Sequence, residues 1–181
     1  FNGDEQAVDG KDQLTVRGAS GGTLGYVLTD AHDGSFAVNG VTLINFTGLE
    51  AIRDDFSAVN RTMQFAEAGG SAVLSVDPAF TSKMKIAFGS DLIFSMTPPS
   101  ATLTVTGDAG ADSLEISFVN GSPIPLGGVV FQAGTQPELG RDTFHVSGST
   151  ATNVLHTVTN AADGLVTING ATLLRYTGAE T

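Results

Sequence analysis

Residues 1–51 align without a gap on residues 131–181, and at the constant offset of 130 seventeen of the 51 positions are identical. Most substitutions between the two segments keep size and polarity, as with Lys11 and Arg141, Val38 and Ile168, Ile44 and Leu174, or Phe46 and Tyr176. A recurrence of this kind constrains the fold more than any single motif, because every unit of a repeat must present matching surfaces to its neighbours. Residues 1–181 are therefore expected to form one elongated repeat domain. It would hold a full 130-residue unit and the first 51 residues of the next, with both ends falling inside a longer repeating pattern.

Within the unit the secondary-structure signal is short and period-two. Alternating runs rich in β-branched and aromatic residues occur at Leu14 to Val16, Gly25 to Thr29, Val41 to Phe46, Val73 to Val76, Lys85 to Phe88, Leu92 to Met96, Thr102 to Val105, Leu114 to Phe118, Val129 to Phe131, Phe144 to Val146 and Val166 to Leu174. Asp33-Gly34, Asn39-Gly40, Asn120-Gly121, Asp163-Gly164 and Asn169-Gly170 separate such runs, and these dipeptides tolerate the positive φ of tight turns. Only Leu49 to Ala68 has a helical look, weakened by Val59, Thr62 and the Asp54-Asp55 pair, which reads as a polar loop. The fold class expected is all-β: a parallel β-helix or β-solenoid of short strands, with an antiparallel β-sandwich as its rival.

Lys and Arg total 8 against 19 Asp and Glu, a net charge of −11, which repels nucleic-acid backbones and anionic membrane surfaces. No run of 18 apolar residues is present, so membrane insertion is not expected, and the chain reads as a soluble processed product or fragment. The absence of Cys removes disulfides and thiolate chemistry. His32, His145 and His156 lack metal-ligand spacing, and no carboxylate pair or nucleophile motif stands out, so no catalytic residue is assigned. Phe1, Phe36, Phe46, Phe131, Phe144 and Tyr176 suit stacked core aromatics better than a sugar platform, for which Trp is missing.

Gly107-Asp-Ala-Gly-Ala-Asp112-Ser-Leu114-Glu follows the nonapeptide G-G-x-G-x-D-x-U-x except that Asp108 stands at the second Gly. Shorter echoes, each a Gly, a spacer, an Asp, a spacer and an apolar residue, occur at Gly10 to Leu14 and Gly140 to Phe144. With LTVTGDAGADSLEI at 103–116 and the paired phrases TLINFTGLE and TLLRYTGAE, the chain resembles tandem repeats of very large secreted bacterial surface proteins. Such repeats are related to the calcium-binding nonapeptide family. The resemblance implies stacked coils and a candidate Ca2+ site at Asp108, Asp112 and Asp142. Calcium needs six to eight oxygens, however, and Asp in these turns can instead cap backbone amides.

These features favour a structural or adhesive repeat module of an extracellular fibre or giant cell-surface protein, secreted and without catalysis. Its expected partners are itself, end to end, and a matrix glycan. The alternative is a polysaccharide-binding or polysaccharide-cleaving β-helix, which a cleft lined by aligned Asp, Arg and Lys would mark; only Lys83 and Lys85 lie close in sequence.

Overall fold

The computed structural model describes residues 12–19, 21–65, 69–89, 92–134, 141–148, 151–170 and 172–179, and among these it is all-β. Phe1, Gly10, Gly140 and Thr181 lie outside the described residues. The chain passes back and forth between two sheets. Sheet I has seven strands: β1 (Gln13–Ala19), β5 (Ala51–Ser57), β7 (Ser71–Val76), β8 (Met84–Phe88), β9 (Leu92–Met96), β11 (Ser113–Ser117) and β13 (Thr143–Ser147). Sheet II has nine: β2 (Thr23–Leu28), β3 (Gly34–Val38), β4 (Val41–Phe46), β6 (Asn60–Phe65), β10 (Leu103–Thr106), β12 (Val129–Gln132), β14 (Val154–Val158), β15 (Gly164–Ile168) and β16 (Thr172–Thr177).

The strand order is β1-β5-β9-β8-β7-β11-β13 in sheet I and β14-β15-β16-β12-β10-β6-β2-β3-β4 in sheet II. Among the described residues eight ladders are parallel and six antiparallel. All six antiparallel ladders belong to three local meanders, β2-β3-β4, β7-β8-β9 and β14-β15-β16. The sheets are therefore mixed rather than those of a purely antiparallel sandwich. Parallel neighbours need a crossover, and here the pass through the opposite sheet supplies it. Three successive ladders, β5 with β9, β6 with β10 and β7 with β11, share one sequence offset, seen in Ala51↔Ile93, Arg61↔Leu103 and Ser71↔Ser113.

Period-two alternation turns one face of most strands inward, as at Leu74, Ile86, Phe94, Leu114 and Ile116 of sheet I and Leu24, Met63, Leu103, Val105 and Phe131 of sheet II, all in one buried cluster. Aromatic rings join the sheets across this core. Tyr26 meets Phe94 edge-on at 5.0 Å and Phe65 meets Phe88 at 5.0 Å, while Phe144 stacks between Phe131 (6.4 Å) and Tyr176 (6.0 Å). Of the aromatics assigned to core stacking from sequence, Phe36, Phe46, Phe131 and Tyr176 are buried and Phe144 packs half-buried against the core, while Phe1 lies outside the described residues.

The two recurring segments carry the same four strands, β1 to β4 and β13 to β16. Several turn contacts recur, although the β3–β4 ladder shifts register between Phe36 and Ala37 and the β15–β16 ladder does not. Asn39 and Asn169 have φ of 51° and 53°, each followed by a glycine at positive φ. Positive φ at both central residues is what a tight hairpin turn demands and what Asn-Gly tolerates best, and in the first copy it closes the two-residue connection between Val38 and Val41. Asp33 Oδ1 accepts the Gly48 N–H at 2.8 Å as Asp163 Oδ1 accepts that of Gly178 at 3.0 Å.

Three local readings are corrected. Val166 to Leu174 is two strands, β15 and β16, broken by the Asn169-Gly170 hairpin. The stretch with a helical look forms β5 and β6, and Asp54-Asp55 lies in β5 rather than in a loop. The alternation was hidden because the inward positions of these strands, Ile52, Asp54, Arg61, Met63 and Phe65, include two charges.

Candidate functional site

The three candidate calcium ligands are brought together by the stacking of turns. Parallel pairing of β11 with β13 places Asp112 beside Asp142, and the Asp112 N–H donates to Asp142 Oδ1 at 2.7 Å. Asp112 in turn accepts the Gly70 N–H on Oδ1 and the Asp108 N–H on Oδ2, both at 2.7 Å. Asp108 Oδ1 accepts from Gly110 at 2.9 Å. Gly107 is required here, since a side chain on it would collide with the Asp112 carboxylate and the Ala133 carbonyl. The result is a ladder in which carboxylates cap amides of the preceding turn, with Asp112 and Asp142 fully buried.

These oxygens are engaged as turn caps. Both oxygens of Asp112 and one each of Asp108 and Asp142 already accept backbone N–H groups, and among the described residues no group of three or more His, Asp or Glu is placed to hold a metal. Burial raises the Asp112 carboxyl above its ordinary value, opposed by the two N–H donors. Because the folded value is raised, this group favours the fold below the usual carboxylate range and loses that contribution as pH rises through its folded pKa. Asp112→Ala is expected to strand two turn amides and cost about 1–3 kcal/mol in chemical denaturation, whereas a neutral result would show that water serves those amides equally well.

A second polar group, which sequence reasoning missed, sits inside the core. Arg61 of β6 forms a buried ion pair with Asp54 of β5, linking the two sheets. Its Nε also donates to the Thr97 carbonyl at 2.9 Å, and its second terminal nitrogen donates to the Phe56 carbonyl. Asp54 further accepts the Tyr26 hydroxyl at 2.9 Å and the Phe56 N–H at 2.8 Å. Both charges are thus surrounded by partners, which is the condition for tolerating them in a core. Burial, then the Asp54 charge, pushes the Tyr26 phenol well above its usual value. A raised phenol favours the fold below pH about 10 and loses that contribution as pH rises further. In a spectroscopic titration Tyr26 is expected to ionise only with alkaline unfolding; its titration in the folded chain near pH 10 would contradict the buried network.

Asp55, the neighbour of Asp54, points to the outer face of sheet I, where Lys83, Arg53 and Arg17 surround it. The Lys83 ammonium is the main cause of its lowered carboxyl pKa. Arg53 also lies over the half-exposed Phe80 ring at 4.8 Å. Lys83, flagged in the sequence, therefore joins a local basic cluster on an acidic chain. Of the histidines, His32 Nδ1 lies 3.0 Å from the Leu49 carbonyl and His156 Nε2 lies 2.7 Å from the Tyr176 hydroxyl; His145 is exposed on β13. The structure does not bring the three together. No helix among the described residues is long and apolar enough to cross a membrane.

Comparison with family models, with curated proteins and with solved structures finds no match to this chain.

Proposed function

We propose that the chain is a structural and adhesive repeat module of an extracellular fibre or giant cell-surface protein, in which the parallel ladders are successive rungs of an open β-solenoid. The observation that carries this is the recurrence itself. The same four-strand segment stands at both ends of the strand order in each sheet, each time with an Asn-Gly turn at positive φ and an Asp that caps a later glycine. A fold that begins and finishes on the same element is suited to repetition along one axis. The polar groups that could suggest chemistry are consistent with construction: the Asp108, Asp112 and Asp142 ladder caps turns, and the Asp54–Arg61 pair ties the sheets.

Electron microscopy of the native material tests this reading. Filaments or rods are expected, and isolated compact particles from a parent polypeptide no longer than this chain would overturn it. A melting temperature lowered by excess chelator would instead assign the aspartates to calcium, since an ion held only by the native state stabilises it by mass action.

One observation favours a glycan partner as an accompanying role. The Arg17, Arg53 and Lys83 cluster with the Phe80 ring is a cationic, partly aromatic surface that suits an acidic polysaccharide. Loss of polysaccharide binding in Arg17→Ala/Arg53→Ala, with stability unchanged, supports that role; binding that persists removes it.

A further inference from the structure

The two copies of the recurring segment are joined to the rest of their sheet through opposite strands. In the first copy, sheet II continues from β2, which pairs in parallel with β6. In the second, it continues from β16, the equivalent of β4, which pairs in parallel with β12. Each copy thus displays the pairing that the other lacks among the described residues.

The consequence is plainest at β14, the equivalent of β2. Leu24 and Leu28 on β2 are 0% and 4% exposed, while Val154 and Val158 in the same places on β14 are 58% and 56% exposed. Beneath β14 an open-ended cavity of about 390 Å³ is lined by Asp142, Phe144, Val146, Val154, His156 and Tyr176, among others. Their equivalents in the first copy are Asp12, Leu14, Val16, Leu24, Tyr26 and Phe46. In the first copy that space holds the inward side chains of β5 and β6: Leu14 pairs with Ile52, Tyr26 with Met63, and Phe36 meets Phe56 at 6.2 Å.

We propose that β13, β14 and this cavity form the docking end for the next repeat, and that the occupant is a strand pair like Ala51–Phe65 continuing the same polypeptide. The inference rests on the repeat-module reading and adds the register. Transferred from the first copy to the second, the observed ladders set Phe144 opposite the Ile52-type position, His156 opposite the Met63-type and Val158 opposite the Phe65-type. A separate folded copy cannot supply these strands, because its β5 already lies between β1 and β9 and its β6 between β2 and β10.

The strand count agrees with continuation. From β1 to its equivalent β13, sheet I gains six strands, namely β1, β5, β9, β8, β7 and β11. From β4 to its equivalent β16, sheet II also gains six, β4, β3, β2, β6, β10 and β12. The β7-β8-β9 meander of one sheet offsets the β2-β3-β4 meander of the other, so the sheets finish each unit in step and stacking can proceed without shear between them.

The test is a chain in which residues 1–181 are followed directly by a second copy of residues 52–181. Amide hydrogen exchange is read at Val154–Val158, on the amides that do not bond β15. They are expected to slow at least about 100-fold, toward the rates of their β2 equivalents, as newly paired core amides do. Met63→Asp/Phe65→Asp in the added copy should abolish the effect. Unchanged exchange in the extended chain overturns the proposal whether or not the added copy is ordered, and so does slowing that survives those substitutions. Filaments absent from native material would end the fibre reading without altering this result.

Discussion

Arg61→Met is expected to cost about 3–5 kcal/mol of folding stability, the range found when one partner of a buried ion pair is removed. The side chains of Arg61 and Asp54 are 1% and 0% exposed, so no water stands ready to solvate the carboxylate left behind. The same substitution strands the Phe56 and Thr97 carbonyls that the guanidinium serves. Asp54→Asn/Arg61→Met should recover a large part of the loss, because the amide oxygen still accepts the Tyr26 hydroxyl while no charge remains to bury. Urea unfolding of the two variants checks this. A single variant within about 1 kcal/mol of the parent would mean that the pair is not held in the core, since exposed ion pairs contribute only that much.

Phe94→Ala should be comparably damaging, about 3–5 kcal/mol, by loss of a fully buried ring and the cavity it leaves. Phe94 sits on β9 with Tyr26 at 5.0 Å from the opposite sheet and Phe88 at 5.6 Å from its own. Phe80→Ala, 42% exposed on the outer surface, is the matched control and should cost far less. Equal effects of the two substitutions would contradict the assignment of the inward face.

How much of this was legible in the sequence follows from how local each signal is. Asn39-Gly40 and Asn169-Gly170 announced hairpins because two adjacent residues carry the whole conformational requirement. Leu114 and Ile116, or Leu103 and Val105, announced strands because each pair alternates within a single short run. Asp112 was found from the spacing of its motif, though its reach to Gly70 was not, since Gly70 lies on another pass of the chain. The β5 and β6 strands were misread because Asp54 and Arg61 occupy inward positions. Only a structure reveals that the two charges neutralise each other. The β14 strand is absent from the runs read in the sequence, because Val154, His156 and Val158 at its inward places form a weaker apolar alternation than the matching Leu24, Tyr26 and Leu28, which β6 covers.

The central claim, that the repeating unit stacks in step along one axis, is tested most directly by the length added per unit. Six strands in each sheet at a spacing of about 4.8 Å give a rise of about 29 Å per unit. Chains carrying one, two and three further in-phase units can be compared by electron microscopy and small-angle scattering. Rigid particles that lengthen by this same rise with each added unit are the expected result. Compact particles, or flexibly jointed beads whose spacing varies from molecule to molecule, would contradict it.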